Sequence, residues 1–270
     1  MNKIDKVLIL GASGLVGKAL AEELNKKYEV YGTYSSNKIS SIKSIYFNVS
    51  EVDSIAHTLN TVKPSKIVYC LRGDFDLQLA VISELVKYLK VVNGKLYFCS
   101  TANVFDGDTT KPHFKNDEPI GESDYGKFKI QCEEILSRGL GDNSIILRLP
   151  MIWGKDSPRL NSLAAALNNN EKVDVYTNVY VNKNTDEMLA KQISYIIDND
   201  LKGIFHLGSN EVINYYDFVK KLTNSLGYGE VKFKEEELPV ERYYLAVLPD
   251  GELPKELNFS NESVICYLTS

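Results

Sequence analysis

Residues 6–20 read KVLILGASGLVGKAL, and this stretch decides the fold. The apolar run at positions 7–10 predicts a short buried strand, and the pattern that continues to Leu24 predicts an amphipathic helix. Three glycines separate them with the spacing G-x-x-G-x-x-G. A strand, a glycine-rich turn and a helix in this order are typical of a dinucleotide-binding site. The alternative, the same turn without a ligand, is less favoured because the motif has both its strand and its helix.

Each glycine of this turn has a separate physical reason. Gly11 can adopt the positive φ that a tight turn after a strand requires. Gly14 has no Cβ to obstruct a pyrophosphate, and Gly17 allows the helix to pack close to the strand. The helix N-terminus adds N–H donors and a partial positive charge for the phosphates. The residues expected to contact the cofactor here are Gly11, Ser13, Gly14, Leu15, Val16 and Gly17.

The end of the second predicted strand, Glu29–Tyr34, bears on the choice between NADP and NAD. An NAD site usually carries an acid there to bind the ribose 2′-hydroxyl group. This chain continues instead with hydroxyl and basic side chains, which suit a 2′-phosphate better. We therefore expect NADP(H) to be favoured over NAD(H), although a solvated polar turn would look the same. The candidate contacts are Tyr34, Ser35, Ser36 and Lys38.

Strands and helices alternate through the first half of the chain. Further strands are predicted at 44–49, 66–71, 95–99 and 144–149, with helices between them. Strict alternation of this kind indicates an α/β fold, a Rossmann-like doubly wound parallel sheet with helices on both faces. We expect residues 1–150 to form the NAD(P)-binding domain, with part of the chain after residue 175 returning to it. Residues 151–270 are expected to form mainly a smaller C-terminal substrate-binding lobe.

A tyrosine and a lysine four residues apart suggest proton transfer. Tyr125 and Lys129 lie on a predicted helix that opens at residue 123 or 124, so they share one helix face. A tyrosine hydroxyl has an ordinary pKa of about 10, so it needs a neighbouring cation to act as an acid at neutral pH. A hydroxyl group from Ser100 or Thr101, at the end of the fifth strand, could bind the same substrate oxygen.

These motifs together resemble the extended short-chain dehydrogenase/reductase family. GASGLVG at 11–17, STANVFDG at 100–107, YGKFK at 125–129 and LRLPMIWG at 147–154 are similar in particular to dTDP-4-dehydrorhamnose reductases and their sugar-nucleotide relatives. The resemblance implies a catalytic trio of Thr101, Tyr125 and Lys129. It also implies an NADP-dependent reductase of a keto sugar nucleotide, in which Tyr125 donates the proton.

Two departures from the family pattern leave other functions open. The family's STDYVFDG becomes STANVFDG, so that Ala102 and Asn103 replace an Asp-Tyr pair. Leu71 and Arg72 stand where the family carries small residues, and Arg72 could contact a cofactor phosphate or be a surface charge. A sugar-nucleotide epimerase or dehydratase, or a non-catalytic NADP-binding regulatory subunit, are the alternatives.

Composition excludes several other classes. The 270-residue chain has a net charge of −5, which offers no basic surface for nucleic acid. Its four cysteines form no C-x-x-C pair, so buried thiols and no metal site are expected. The polar first residues and the shortness of the apolar runs predict a cytoplasmic protein that does not enter a membrane. The family resemblance allows a homodimer.

Overall fold

The structure is a computed structural model that describes residues 5–51 and 53–270. The elements follow the chain as β1 (Lys6–Leu10), α1 (Leu15–Leu24), β2 (Glu29–Tyr34), β3 (Lys43–Tyr46), α2 (Asp53–Val62), β4 (Lys66–Tyr69), α3 (Phe75–Val92), β5 (Lys95–Thr101), α4 (Asp124–Leu140), β6 (Ser144–Leu149), β7 (Met151–Trp153), α5 (Pro158–Asn168), β8 (Val173–Tyr176), β9 (Val179–Val181), β10 (Lys183–Thr185), α6 (Asp186–Asp198), β11 (Gly203–His206), β12 (Ile213–Asn214), α7 (Tyr215–Ser225), β13 (Phe233–Glu236), β14 (Tyr243–Leu245) and α8 (Asn261–Thr269). A short 3-10 helix, Ala102–Phe105, follows β5.

The chain divides into two compact units, each made of three segments. The first contains the described residues up to Ser100 together with Lys127–Leu147 and Leu189–Phe205. The second contains Thr101–Gly126, Arg148–Met188 and His206–Ser270.

A seven-stranded sheet forms the centre of the first unit. Its strand order is β3-β2-β1-β4-β5-β6-β11, and the pairs from β3 to β5 are parallel. The direction of winding reverses between β1 and β4, where doubly wound sheets place their ligands beyond the strand ends. The predicted Rossmann-like fold is confirmed. After the lysine with which each begins, strands β1 and β4 are apolar and buried because helices cover both faces of the sheet.

The third predicted strand is shorter than expected. It was expected over residues 44–49, whereas β3 ends at Tyr46. The side-chain oxygen of Asn48 accepts a hydrogen bond from the backbone N–H of Ser50 at 3.1 Å, which turns the chain away from the sheet. Asparagine competes with strand pairing in this way because its side chain mimics a backbone acceptor.

The second unit contains several small sheets around its own apolar core. The alternating pattern of residues 173–181 predicts a strand or a hairpin. In the structure these residues form two strands with different partners: β8 pairs with β13, and β9 pairs with β12 and β14. The sequence of residues 263–268 fits either a strand or a helix, and in the structure they lie in the helix α8. The core contains Trp153, Leu163, Val175, Phe218 and Leu222.

Candidate functional site

The glycine turn has the geometry that its spacing predicts. Gly11 has a φ of +81°, and a Cβ there would lie 2.8 Å from the carbonyl oxygen of Cys70. A Cβ on Gly17 would lie 2.3 Å from the Gly11 oxygen, so the helix could not pack as it does. At Gly14 the nearest atom would be 3.5 Å away. No neighbouring atom therefore requires a glycine at position 14, and the open surface there is what an approaching phosphate needs.

A threonine on β2 supports the turn from the adjacent strand. The Thr33 side-chain oxygen accepts a hydrogen bond from the Gly11 N–H at 2.9 Å, and its carbonyl oxygen accepts one from Ala12 N–H at 3.0 Å. Thr33 is buried. Sequence reasoning missed this role. The available signal was a hydroxyl residue at the end of a buried strand beside the glycine motif.

The other predicted cofactor residues lie at neighbouring strand ends in the first unit. Ser35, Ser36 and Lys38 follow β2 and are exposed, while Tyr34 is half-buried with its ring against Tyr46. Helix α1 begins after Gly14 without a side-chain cap and without an acid in its first turn. No acidic side chain in the first turn of α1 therefore offsets the partial positive charge of its N-terminus.

The loop after β4 carries Leu71 and Arg72. Leu71 is half-buried and Arg72 is exposed. Just before them, the Cys70 sulfur lies 3.4 Å from that of Cys99, at the ends of the paired strands β4 and β5. The hydrogen bond to Cys99 and burial raise the pKa of the Cys70 thiol. Cys70 is therefore a protonated thiol, and Cys99 is a buried one, as the sequence predicted.

Lys129 is a buried cation at the end of β5. Its Nζ donates to the Cys99 carbonyl oxygen at 2.8 Å and lies 4.5 Å from the centre of the Phe98 ring. Burial holds the pKa of the Lys129 ammonium below its ordinary value, while neighbouring thiol and carboxyl groups oppose that shift. The carbonyl oxygen and the ring face compensate part of the desolvation of the charge.

A buried carboxyl group lies one helical turn beyond Lys129. The Oε1 atom of Glu133 accepts a hydrogen bond from the Ser100 hydroxyl at 2.5 Å, and both side chains are buried. Sequence reasoning missed Glu133. The signal was the spacing Y-x-x-x-K-x-x-x-E, which places Tyr125, Lys129 and Glu133 on one face of α4. Ser100 thus fixes the strand end instead of offering its hydroxyl group to a substrate.

In the second unit, Asp106 organises the start of α4. Its carboxylate accepts hydrogen bonds from the backbone N–H groups of Glu122 (2.6 Å) and Ser123 (3.2 Å) and from the Ser123 hydroxyl. The Ser123 oxygen in turn accepts from Gly126 N–H at 3.0 Å. A Cβ on Gly126 would lie 2.4 Å from the Asn103 carbonyl oxygen, so glycine is required there. These contacts fix the backbone on either side of Tyr125.

The two predicted hydroxyl residues of the second unit differ in exposure. Tyr125 is 41% exposed, which is unusual for so large a ring, whereas Thr101 is 9% exposed at the end of β5. The Thr101 hydroxyl is hydrogen-bonded to Asn103, the residue that replaces the family's tyrosine: its Oγ1 lies 3.1 Å from Asn103 Oδ1.

Two buried hydrogen-bond donors elsewhere in the second unit lie beside one aromatic ring. The Lys183 Nζ lies 3.9 Å from the centre of the Phe218 ring, and Trp153 packs on the same ring at 5.3 Å. Neither Lys183 Nζ nor the Trp153 indole nitrogen has a hydrogen-bond partner among the described residues. Trp153 is thus a core residue.

His206 and His113 are structural. Burial, then the charge of Arg148, lowers the pKa of His206 to about 3, so it is neutral. Its Nδ1 contacts the Leu248 carbonyl oxygen at 3.2 Å. His113 stacks on Phe105 and is hydrogen-bonded to Asp117. Within residues 5–51 and 53–270, no three His, Cys, Asp or Glu side chains are grouped to hold a metal ion. A search of the same residues finds no helix with the length and apolar character to span a membrane.

Comparisons with known proteins point to one family. A family model described as the RmlD substrate binding domain matches residues 73–245. The chain is 24% identical over 236 residues to the methionine adenosyltransferase 2 subunit beta of Rattus norvegicus, covering 78% of this chain and 69% of the relative. It is 22% identical to a probable low-salt glycan biosynthesis reductase of Haloferax volcanii, covering 81% and 79% of the two chains.

A solved structure agrees over almost the whole chain. The dTDP-4-dehydrorhamnose reductase of Bacillus anthracis, solved in complex with NADP, superposes with a TM-score of 0.82 at 18% identity, covering 98% of this chain and 97% of that one. The resemblance indicated by the sequence motifs is confirmed. Because the family model matches well over half of the residues, the chain belongs to the RmlD substrate binding domain family.

Proposed function

We propose that this protein is an NADP-dependent reductase of a keto sugar nucleotide. The observation that carries the proposal is the buried Lys129 ammonium at the end of β5, four residues after the exposed Tyr125 on helix α4. A buried cation one helical turn from an exposed phenol is the arrangement that makes tyrosine a usable acid near neutral pH. The family and its reductase relatives support the same reaction class.

The glycine turn fits a dinucleotide. The open surface at Gly14 and the uncapped start of α1 suit a pyrophosphate. We assign the cofactor contacts to Gly11, Ser13, Gly14, Leu15, Val16, Gly17, Tyr34, Ser35, Ser36, Lys38, Leu71, Arg72, Tyr125 and Lys129. We assign the 2′-phosphate to Ser35, Ser36 and Lys38, where no acid stands to compete for a ribose hydroxyl group. The sugar nucleotide is assigned mainly to residues 151–270.

When bound, the nicotinamide would supply a hydride to the keto carbon. The protein's own part is to handle the proton and the charge on the oxygen. Tyr125 donates its hydroxyl proton to the carbonyl oxygen, and Lys129 stabilises the resulting phenolate. Thr101 donates a hydrogen bond to the same oxygen and orients it. The carbonyl oxygen of Cys99 holds Lys129 in place during the proton transfer.

Turnover of dTDP-4-dehydrorhamnose with NADPH tests the proposal. We expect loss of NADPH absorbance with the natural protein and a fall of about 100- to 10,000-fold in kcat for Tyr125→Phe. Tyr176→Phe is the matched control, because Tyr176 is similarly exposed, at 38%, and lies on β8. Equal rates for Tyr125→Phe and Tyr176→Phe would contradict the assignment of the proton donor.

A second candidate is a cofactor-binding subunit without turnover. Two observations favour it: relatives named as the beta subunit of another enzyme, and the Thr101 hydroxyl already bonded to Asn103. This candidate predicts that the natural protein binds NADPH and that it reduces no keto sugar nucleotide. An epimerase or dehydratase would instead retain bound cofactor through purification.

A further inference from the structure

The Thr101 hydroxyl group has one proton, and it donates this proton in a hydrogen bond to Asn103. Thr101 Oγ1 accepts the backbone N–H of Asn103 at 3.3 Å and lies 3.1 Å from the Asn103 side-chain oxygen. That amide oxygen carries no proton, so the Thr101 hydroxyl must be the donor. A hydroxyl group has a single proton to donate, and here it points to a neighbouring side chain.

Asp106 determines which way the Asn103 amide faces. Asn103 Nδ2 lies 3.4 Å from Asp106 Oδ2, and the Asp106 carboxylate already accepts from Ser123 and from the N–H of Glu122. A carboxylate only accepts, so the reversed amide would place two acceptors against each other. The orientation that turns the amide oxygen to Thr101 is the one consistent with Asp106.

The proposed reaction requires that same proton. A substrate carbonyl oxygen can be oriented by Thr101 only if it replaces the amide oxygen of Asn103 as the acceptor. Asn103 is half-buried, so it is within reach of solvent and of a ligand. We propose that Asn103 is a positioning residue that holds the Thr101 hydroxyl in a resting orientation, and that a substrate carbonyl oxygen must displace it. This inference rests on the proposed function.

Removal of the competing acceptor should therefore increase activity. In Asn103→Ala the backbone N–H remains, but the amide oxygen is gone and the Thr101 proton is available. One neutral hydrogen bond no longer has to be exchanged, so we expect kcat/KM for dTDP-4-dehydrorhamnose to rise about 2- to 10-fold. Asn103→Leu, which keeps the branched shape of the side chain and leaves no cavity, should change kcat/KM in the same direction.

A double-mutant cycle with Thr101→Ala isolates the mechanism. The gain from Asn103→Ala must vanish when Thr101 is alanine, because the effect acts only through its hydroxyl proton. A purely structural role of Asn103 would change both backgrounds equally. Asn103→Ala should also lower the Kd of dTDP-4-dehydrorhamnose, measured by calorimetry in the presence of NADP+, by a similar factor. This decrease should occur when residue 101 is threonine and not when it is alanine.

The outcomes separate the two levels of the proposal. No gain in kcat/KM and no tightening of Kd, or an equal gain in both backgrounds, overturns the role of Asn103 while leaving a reductase intact. No turnover in any variant, with a Kd that tightens only when Thr101 is present, supports the role of Asn103 and rejects the reductase. A Kd that does not respond and an absence of turnover would reject both.

Discussion

Lys183 gives the sharpest test of the packing in the second unit. Its side chain is fully buried, with the amine over Phe218 and without a hydrogen-bond partner among the residues that the structure describes. Burial, and secondarily the charge of Arg159, hold its pKa well below the ordinary value. Replacement by methionine keeps the length and removes the polar atom. We therefore expect Lys183→Met to be more stable than the natural protein at neutral pH.

The dependence on pH follows from proton binding. Where Lys183 is neutral in the folded protein and protonated in the unfolded chain, the unfolded chain binds one more proton, so stability rises as pH rises. The slope is about 1.4 kcal/mol per pH unit. This slope vanishes at pH values above the pKa of lysine in the unfolded chain, because neither state then binds the proton. It also vanishes at any pH low enough to protonate Lys183 in the folded protein. Since a difference of one bound proton gives at most about 1.4 kcal/mol per pH unit, the advantage of Lys183→Met should shrink between pH 7 and pH 9, by no more than about 2.7 kcal/mol.

The lone tryptophan provides the assay. Trp153 packs on Phe218 beside Lys183, so its fluorescence reports unfolding where the change is made. Urea titrations at pH 7, 8 and 9 would give the free energy of unfolding for each variant. Lys220→Met is the matched control, because Lys220 also lies over a ring, 5.6 Å from the centre of Tyr216, but is exposed. Identical pH slopes for Lys183→Met and the natural protein would refute the reasoning.

Three further predictions concern the candidate site. Gly17→Ala should destabilise the fold by about 3 kcal/mol or more, since its Cβ would collide with backbone atoms. Gly14→Ala should fold normally but lose affinity for NADPH, measured by fluorescence titration. Ser100→Ala should lower the free energy of unfolding by about 1–3 kcal/mol, because the buried Glu133 carboxyl group loses a donor; no change in urea midpoint would contradict this. Asp106→Ala should cost about 3 kcal/mol in the same titration and lower kcat by misplacing the start of α4; a variant of normal stability would show that its hydrogen bonds are dispensable.

Long periodic elements were predictable because their signals are local. The helix at 124–140 matches the structure, since apolar spacing over ten or more residues reflects one buried face. The strand at 144–149 matches as well, because its apolar residues are buried throughout. Short elements near the C-terminus were less well determined. Residues 263–268 fitted strand and helix alike, and the helix forms because Ser260 and Ser263 make a capping box while Val264, Ile265 and Leu268 are buried.

By itself, the sequence determined the glycine turn and the tyrosine–lysine pair, because each depends on residues within a few positions of one another, and it determined the parallel sheet through the alternation of strands and helices. Only the tertiary structure decided which distant groups meet. Glu133 binds Ser100 across 33 positions, and Lys183 enters an aromatic core through strand β10. Such contacts arise because helices and strands pack by shape and burial, so a side chain's partners depend on which faces come together and not on its neighbours in the chain.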